Sequence, residues 1–126
     1  MECVSISKLN YGELKLFSNK ILIFTPTSTL KSIETDLLKS DINEFIKIAN
    51  DSKILFIYDG RTLNDFTSEQ KALMQKHLPL FSKKMAILSD SGLSKFFSNL
   101  FLYLYKPEIP IKIFNTRNKA IDWLLL

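Results

Sequence analysis

Short apolar runs alternate with helix-period stretches along most of this chain, and that alternation constrains the fold more than any other feature. Ile54-Leu55-Phe56-Ile57 is apolar at every position. A strand with one wet face would alternate, so this run reads as a parallel strand covered on both sides by helices. Ile21 to Thr25 is likewise a solid apolar run, and Met85 to Leu88 is a further strand. Between these runs the period changes. Ile33, Leu37, Leu38, Ile42, Phe45, Ile46 and Ala49 share one helical face, which predicts a helix over 32–50, with Ser40-Asp41 as a weak point inside it. A helix opens at Thr67, where Thr67 and Gln70 stand at capping-box spacing, and it should stop before Pro79.

The remaining segments complete the pattern. Glu13 to Ser18 is the first strand and should form an antiparallel hairpin with the second, across a turn at Asn19-Lys20. Pro26 closes the second strand. The third strand covers Lys53 to Tyr58 and the fourth Met85 to Leu88. The fifth covers Ile109 to Phe114, and Thr116 caps a last helix from Arg117 to about Leu125. Strand-helix alternation implies a mainly parallel sheet. The expected fold is α/β, with a mostly parallel five-stranded sheet, an N-terminal antiparallel hairpin and four helices. All 126 residues form one domain, with residues 1–12 either an arm or an extra strand. A chain of this size buries about two thirds of its unfolded surface, enough for a core without staples.

The third expected helix in chain order is the most unusual segment. Residues 93–105 read Leu-Ser-Lys-Phe-Phe-Ser-Asn-Leu-Phe-Leu-Tyr-Leu-Tyr. Leu93, Phe96, Phe97, Leu100, Phe101 and Leu104 make one stripe, and Leu102, Tyr103 and Tyr105 spill beyond it. Such surplus apolar surface is buried by other elements, or forms a homodimer seam, a partner groove or the wall of an apolar pocket. Tyr103 and Tyr105 suit an interface because each couples an apolar ring to a polar tip.

Composition narrows the function classes. Hydrophobic content is 46% and charged content 24%, ordinary for a globular chain. Net charge is +4, but the basic residues are scattered, with only Lys83-Lys84 adjacent, so a nucleic-acid face is not expected. No stretch approaches the roughly 20 apolar residues of a membrane span, so stable membrane insertion is not expected. The N-terminus has no basic n-region, and Cys3 is the single cysteine. Together these place the protein in the cytoplasm.

Chemical signatures are sparse. One Cys, one His and no clustered carboxylates give no metal set, and no Gly-rich phosphate loop is present. His77 falls late in a helix, away from any nucleophile. After the second strand stands Pro26-Thr27-Ser28 rather than the acidic pair of a phosphate-receiver domain. No cofactor is expected and the chain reads as non-enzymatic. Ligands of open α/β sheets sit beyond the carboxyl ends of the parallel strands. There the chain offers Asp59, Arg61, Asp65, Thr67, Ser89, Asp90, Ser91, Thr116 and Arg117. Thr67, Ser91 and Thr116 also read as N-caps and Asp59-Gly60 as a turn. Arg61 is harder to explain structurally, since its planar fork holds a carboxylate or phosphate, with Asp65 as an internal partner.

Three segments carry a family likeness. They are Tyr58-Asp59-Gly60-Arg61, Phe96-Phe97-Ser98-Asn99-Leu100-Phe101-Leu102 with Lys106-Pro107, and Ile111-Lys112-Ile113-Phe114-Asn115-Thr116 with Ala120-Ile121-Asp122-Trp123-Leu124. With the hairpin leading into β-α repeats, the chain resembles the SpoIIAA-like branch of the STAS fold, small bacterial STAS/Sec14-like domains, from about residue 13 onward. In the anti-sigma-factor antagonist that names the branch, a serine in an Asp-Ser-Ser-Gly-like turn is phosphorylated by a partner kinase. The likeness implies Asp65 as the aspartate and Thr67, beside Ser68, as the phosphoacceptor, although Phe66 and Glu69 depart from the pattern and its glycine is absent. The expectation is a regulatory or protein-interaction domain using Asp59, Arg61, Asp65, Thr67, Ser68 and Ser91. The alternative is a carrier or sensor of a small apolar ligand beside Phe96, Phe97, Phe101, Tyr103 and Tyr105.

Overall fold

A computed structural model describes residues 2–27, 34–50, 52–60, 67–89 and 108–126, apart from the side chains of residues 68 and 71. The described elements are β1 (Cys3–Lys8), β2 (Gly12–Phe17), β3 (Ile21–Pro26), α1 (Thr35–Ala49), β4 (Ile54–Asp59), α2 (Ser68–Phe81), β5 (Ser82–Leu88), β6 (Ile111–Phe114) and α3 (Arg117–Leu124). The six strands form one mixed sheet in sequential order from β1 to β6. β1, β2 and β3 pair antiparallel, and β3 to β6 pair parallel. The sheet therefore has six strands rather than five. The extra one is β1, whose residues are nearly all exposed, so no half-buried alternation advertises it.

The solid apolar runs arise because both sheet faces are covered. Leu22, Phe24, Phe56, Tyr58, Met85 and Ile87 point to one face, where they meet Leu38, Ile42 and Phe45 of α1 and Leu78 and Phe81 of α2. Ile21, Ile23, Leu55, Ile57, Ala86 and Leu88 point to the other, against Ala120 and Leu124 of α3. The first face is aromatic at its centre. Phe45 lies 5.6 Å from Phe56 and 5.5 Å from Phe81, and Phe56 and Phe81 meet edge-on at 5.3 Å. Edge-to-face geometry of this kind adds to the burial term.

Local chemistry sets the boundaries. Lys20 (φ 66°) takes the left-handed conformation that lets β2 turn into β3, and its N–H donates to Phe17 O at 3.0 Å. Asn50 (φ 51°, ψ 55°) ends α1, returning its N–H to Ile46 O and Lys47 O. Lys84 pins the end of α3 by donating from Nζ to Trp123 O at 3.1 Å while sitting over the indole at 4.8 Å. Two expectations are corrected. Pro79 does not stop α2, which continues to Phe81. A proline removes only its own donor near a helix end, and buried Leu78 and Phe81 hold that last turn on the sheet. Nor does Ser40-Asp41 interrupt α1.

Asp41 has a different task. It is 2% exposed, and its carboxylate reaches the turn between β1 and β2. Oδ1 accepts from Asn10 N (2.9 Å) and Asn10 Nδ2 (3.0 Å), and Oδ2 accepts from Tyr11 N (2.9 Å). Tyr11 repays the contact at the other end of the helix, where its hydroxyl oxygen accepts the Glu34 N–H at 2.7 Å. That bond satisfies a backbone donor at an N-cap lacking any side-chain cap of its own.

Candidate functional site

The parallel register aligns the carboxyl ends of β4, β5 and β6. Asp59 pairs with Leu88, and Leu88 with Phe114, so Asp59, Ser89 and the Asn115-Thr116 corner lie along one sheet edge. Ser89 N–H extends the ladder to Phe114 O at 2.9 Å. Asp59 and Ser89 are 7% and 2% exposed, so both are inner parts of this edge rather than its surface. Gly60 lets β4 leave close to its neighbour, since a Cβ there would stand 2.8 Å from the Leu88 carbonyl oxygen. Burial, and then the neighbouring Asp59 charge, push the Tyr58 hydroxyl pKa well above its ordinary value. Its ring packs 5.9 Å from Phe24.

Helices α1 and α2 begin side by side at the same end of the molecule. Thr67 Oγ1 accepts from Gln70 N at 3.1 Å, and Gln70 Oε1 accepts from Thr67 N at 3.0 Å, the full capping box expected from their spacing. Buried Gln70 also donates through Nε2 to Thr35 Oγ1 at 3.3 Å, in the first turn of α1. This side chain thus closes one helix start and ties it to another. Thr67 itself is exposed. Thr116 caps α3 through Lys119 N at 3.3 Å, while the Arg117 guanidinium lies 5.9 Å from the Phe17 ring.

Of the residues singled out in the sequence, Asp59 and Thr67 lie at this end of the sheet, and Ser68 opens α2. Arg61, Asp65, Ser91, Phe96, Phe97, Phe101, Tyr103 and Tyr105, and with them the aromatic helix, lie outside the described residues. Among the described residues no group of three or more His, Cys, Asp or Glu could hold a metal ion. No helix among them is long and apolar enough to cross a membrane. The arrangement offers hydrogen bonding and shape: an exposed threonine on a braced helix start, with Asp59 and Ser89 buried at the carboxyl ends of β4 and β5.

The residues that sequence reasoning missed are Asn10, Tyr11 and Asp41. An aspartate mid-helix on the apolar side, flanked by Leu38 and Ile42, was the available signal, because a carboxylate is rarely buried without donors.

No protein of curated function matches the chain. A crystal structure of a protein of unknown function from Arthrobacter sp. FB24 is 21% identical over 90% of this chain and 98% of that one, with a TM-score of 0.33. A family model matches residues 15–125, from β2 to the end of α3. The chain therefore belongs to the DUF7793 family, a domain of unknown function.

Proposed function

We propose that this domain is a non-enzymatic, SpoIIAA-like regulatory module of the cytoplasm, which binds a protein partner at the carboxyl edge of its sheet and is switched at Thr67. The observation that supports the reading is the setting of Thr67. It is exposed and stands at the start of a 14-residue helix, with Gln70 bracing that start against α1. A phosphate there brings a charge of about −1.5 to −2 to the positive end of the α2 dipole, where it is tolerated. The change alters the surface a partner meets without breaking the fold. Buried Asp59 and Ser89 serve in this reading as the rigid floor beneath the switch.

The test is phosphate mapping by mass spectrometry on protein incubated with ATP and a lysate of its source cells. Phosphate on Thr67 or Ser68, with a partner captured differently by wild type and Thr67→Glu, supports the proposal. A chain that stays unmodified, with identical captures for both forms, refutes it. Thr67→Ala costs about 1 kcal/mol through loss of the cap, so Thr67→Ser is the matched control.

A further inference from the structure

β1 differs from the core strands in what holds it. Five of its six residues are exposed and the sixth, Ser7, is half-buried, whereas β3 and β4 bury nearly all of theirs. Its attachment to β2 is a run of backbone hydrogen bonds. Leu9 N–H to Gly12 O closes one end and Ser18 N–H to Glu2 O the other, both at 2.8 Å. The net gain from one such bond is comparable to the entropy lost in fixing one residue, so bonds and ordering nearly cancel. Apolar burial, which tips that balance for the core strands, is missing here. The bulge between Cys3 and Ser5 also leaves part of the ladder unpaired.

The turn between β1 and β2 adds little hold of its own. Tight hairpin connections are normally matched to the twist of the strands by a residue of positive φ. Neither Asn10 nor Tyr11 takes one, in contrast to Lys20 between β2 and β3. Asp41 imposes the shape of the turn instead, by accepting from the backbone amides of both residues. β2, meanwhile, is anchored without its outer neighbour. It pairs with β3 from Gly12 to Leu16, and Tyr11, Gly12 and Leu14 are buried. The fold thus carries a weakly held strand on a firmly held edge, with a clasp at Asn10 where loosening stops. We propose that β1 is an exchangeable guard strand. Residues 2–8 unlatch from β2 while the rest of the domain stays folded, and the uncovered edge takes up the same strand from a second copy. That occupant already fits in length and charge: β1 and β2 are six residues each, and Lys8 stands directly across from Glu13. At low concentration a chain's own β1 wins, because its tether gives it an effective concentration on the order of mM. This surface is separate from the carboxyl edge above, and either proposal can fail alone.

The test uses the native Cys3, whose direct partner on β2 is Phe17. The bonded Ser18–Glu2 step beside them makes theirs a non-hydrogen-bonded pair, with Cα atoms about 4.5 Å apart and within disulfide reach. Phe17→Cys, oxidised at about 10 μM, should close within one chain and lock β1 in place. A fluorescent peptide of residues 2–9, with serine at position 3, should bind the full chain saturably. It should bind the locked variant at least about tenfold more weakly than the same variant reduced. In the reduced protein, β1 amides should exchange with deuterium about 100-fold faster than those of β3. Oxidation after incubation at about 1 mM should give a covalent dimer, with Cys3 of one chain mapped to position 17 of the other. Circular dichroism checks folding. If Phe17→Cys unfolds the chain, Lys8→Cys with Glu13→Cys in a Cys3→Ser background is the second lock, since these positions also stand directly opposite. Failure of the peptide to bind overturns the proposal, as does binding that the lock leaves unchanged. So do β1 amides as protected as those of β3, or a disulfide that stays within one chain at every concentration.

Discussion

Replacing Asp41 by alanine tests whether one side chain holds the N-terminal hairpin against α1. The carboxylate accepts three hydrogen bonds at 2.9–3.0 Å, two of them from backbone amides, and Tyr11 N is buried with it. Bonds to a charged group contribute about 1.5–3 kcal/mol each, and a buried donor left alone costs a further part of its desolvation. The three share one acceptor group and do not add, so Asp41→Ala should cost about 4 kcal/mol. For a chain of this size that lowers Tm by about 15 °C. Asp41→Asn should cost about half as much. It keeps one oxygen for the two Asn10 donors but turns an amide NH2 toward the Tyr11 N–H. Asp36→Ala, at an exposed position in the first turn of the same helix, should cost about 0.5 kcal/mol. Urea unfolding followed by Trp123 fluorescence reads all three. Because Trp123 packs on the opposite sheet face, it reports global loss of structure rather than local fraying. Asp41→Ala within about 1 kcal/mol of wild type would mean that the clasp contributes geometry without stability, and the argument would be wrong.

Gly60→Ala should cost about 2 kcal/mol, since its Cβ meets the Leu88 carbonyl and the strand ends must part; an unchanged Tm in scanning fluorimetry refutes this. Phe81→Ala should cost about 4 kcal/mol in urea melts by emptying a buried ring site between Phe45 and Phe56, and a loss below about 1 kcal/mol would show that α2 collapses onto the gap. Tyr58 keeps its proton in the folded state at pH values where the unfolded chain, with a pKa of about 10, has released it. Its contribution is therefore present below pH about 10 and is lost as pH rises beyond that. Tyr58→Phe should flatten the alkaline fall of the urea midpoint, and a parallel fall in both proteins would rule the explanation out.

The centre of the parallel half of the sheet was readable because β4 leaves no polar residue between Ile54 and Ile57. Ile54 to Ile57 could hardly lie anywhere but between two layers, and the capping box at Thr67 and Gln70 marked the start of α2 to the residue. β1 could be read only as an arm or an extra strand, for the opposite reason. Its pairing rests on backbone bonds to β2, and its side chains face water, so burial leaves no periodic trace. Pro79 misled because a breaker is judged by propensity, whereas two buried side chains on the last turn outweigh one lost donor. Of the site, the sequence placed Asp59 and Thr67 at the right end of the sheet, because strand polarity alone settles that. It could not foresee Gln70 bridging to Thr35, a contact between residues 35 positions apart that no local pattern encodes.

The Asn10–Asp41 clasp also orders events in time. The carboxylate that fastens the β1–β2 turn and the Glu34 amide held by Tyr11 both come from the first helix and its N-cap, so neither anchor is in place until that helix has formed. Until then an isolated two-stranded ribbon is marginal in water. The hairpin thus stays correctable while it stands alone, and its register is locked only when the first helix has wound and closed over it.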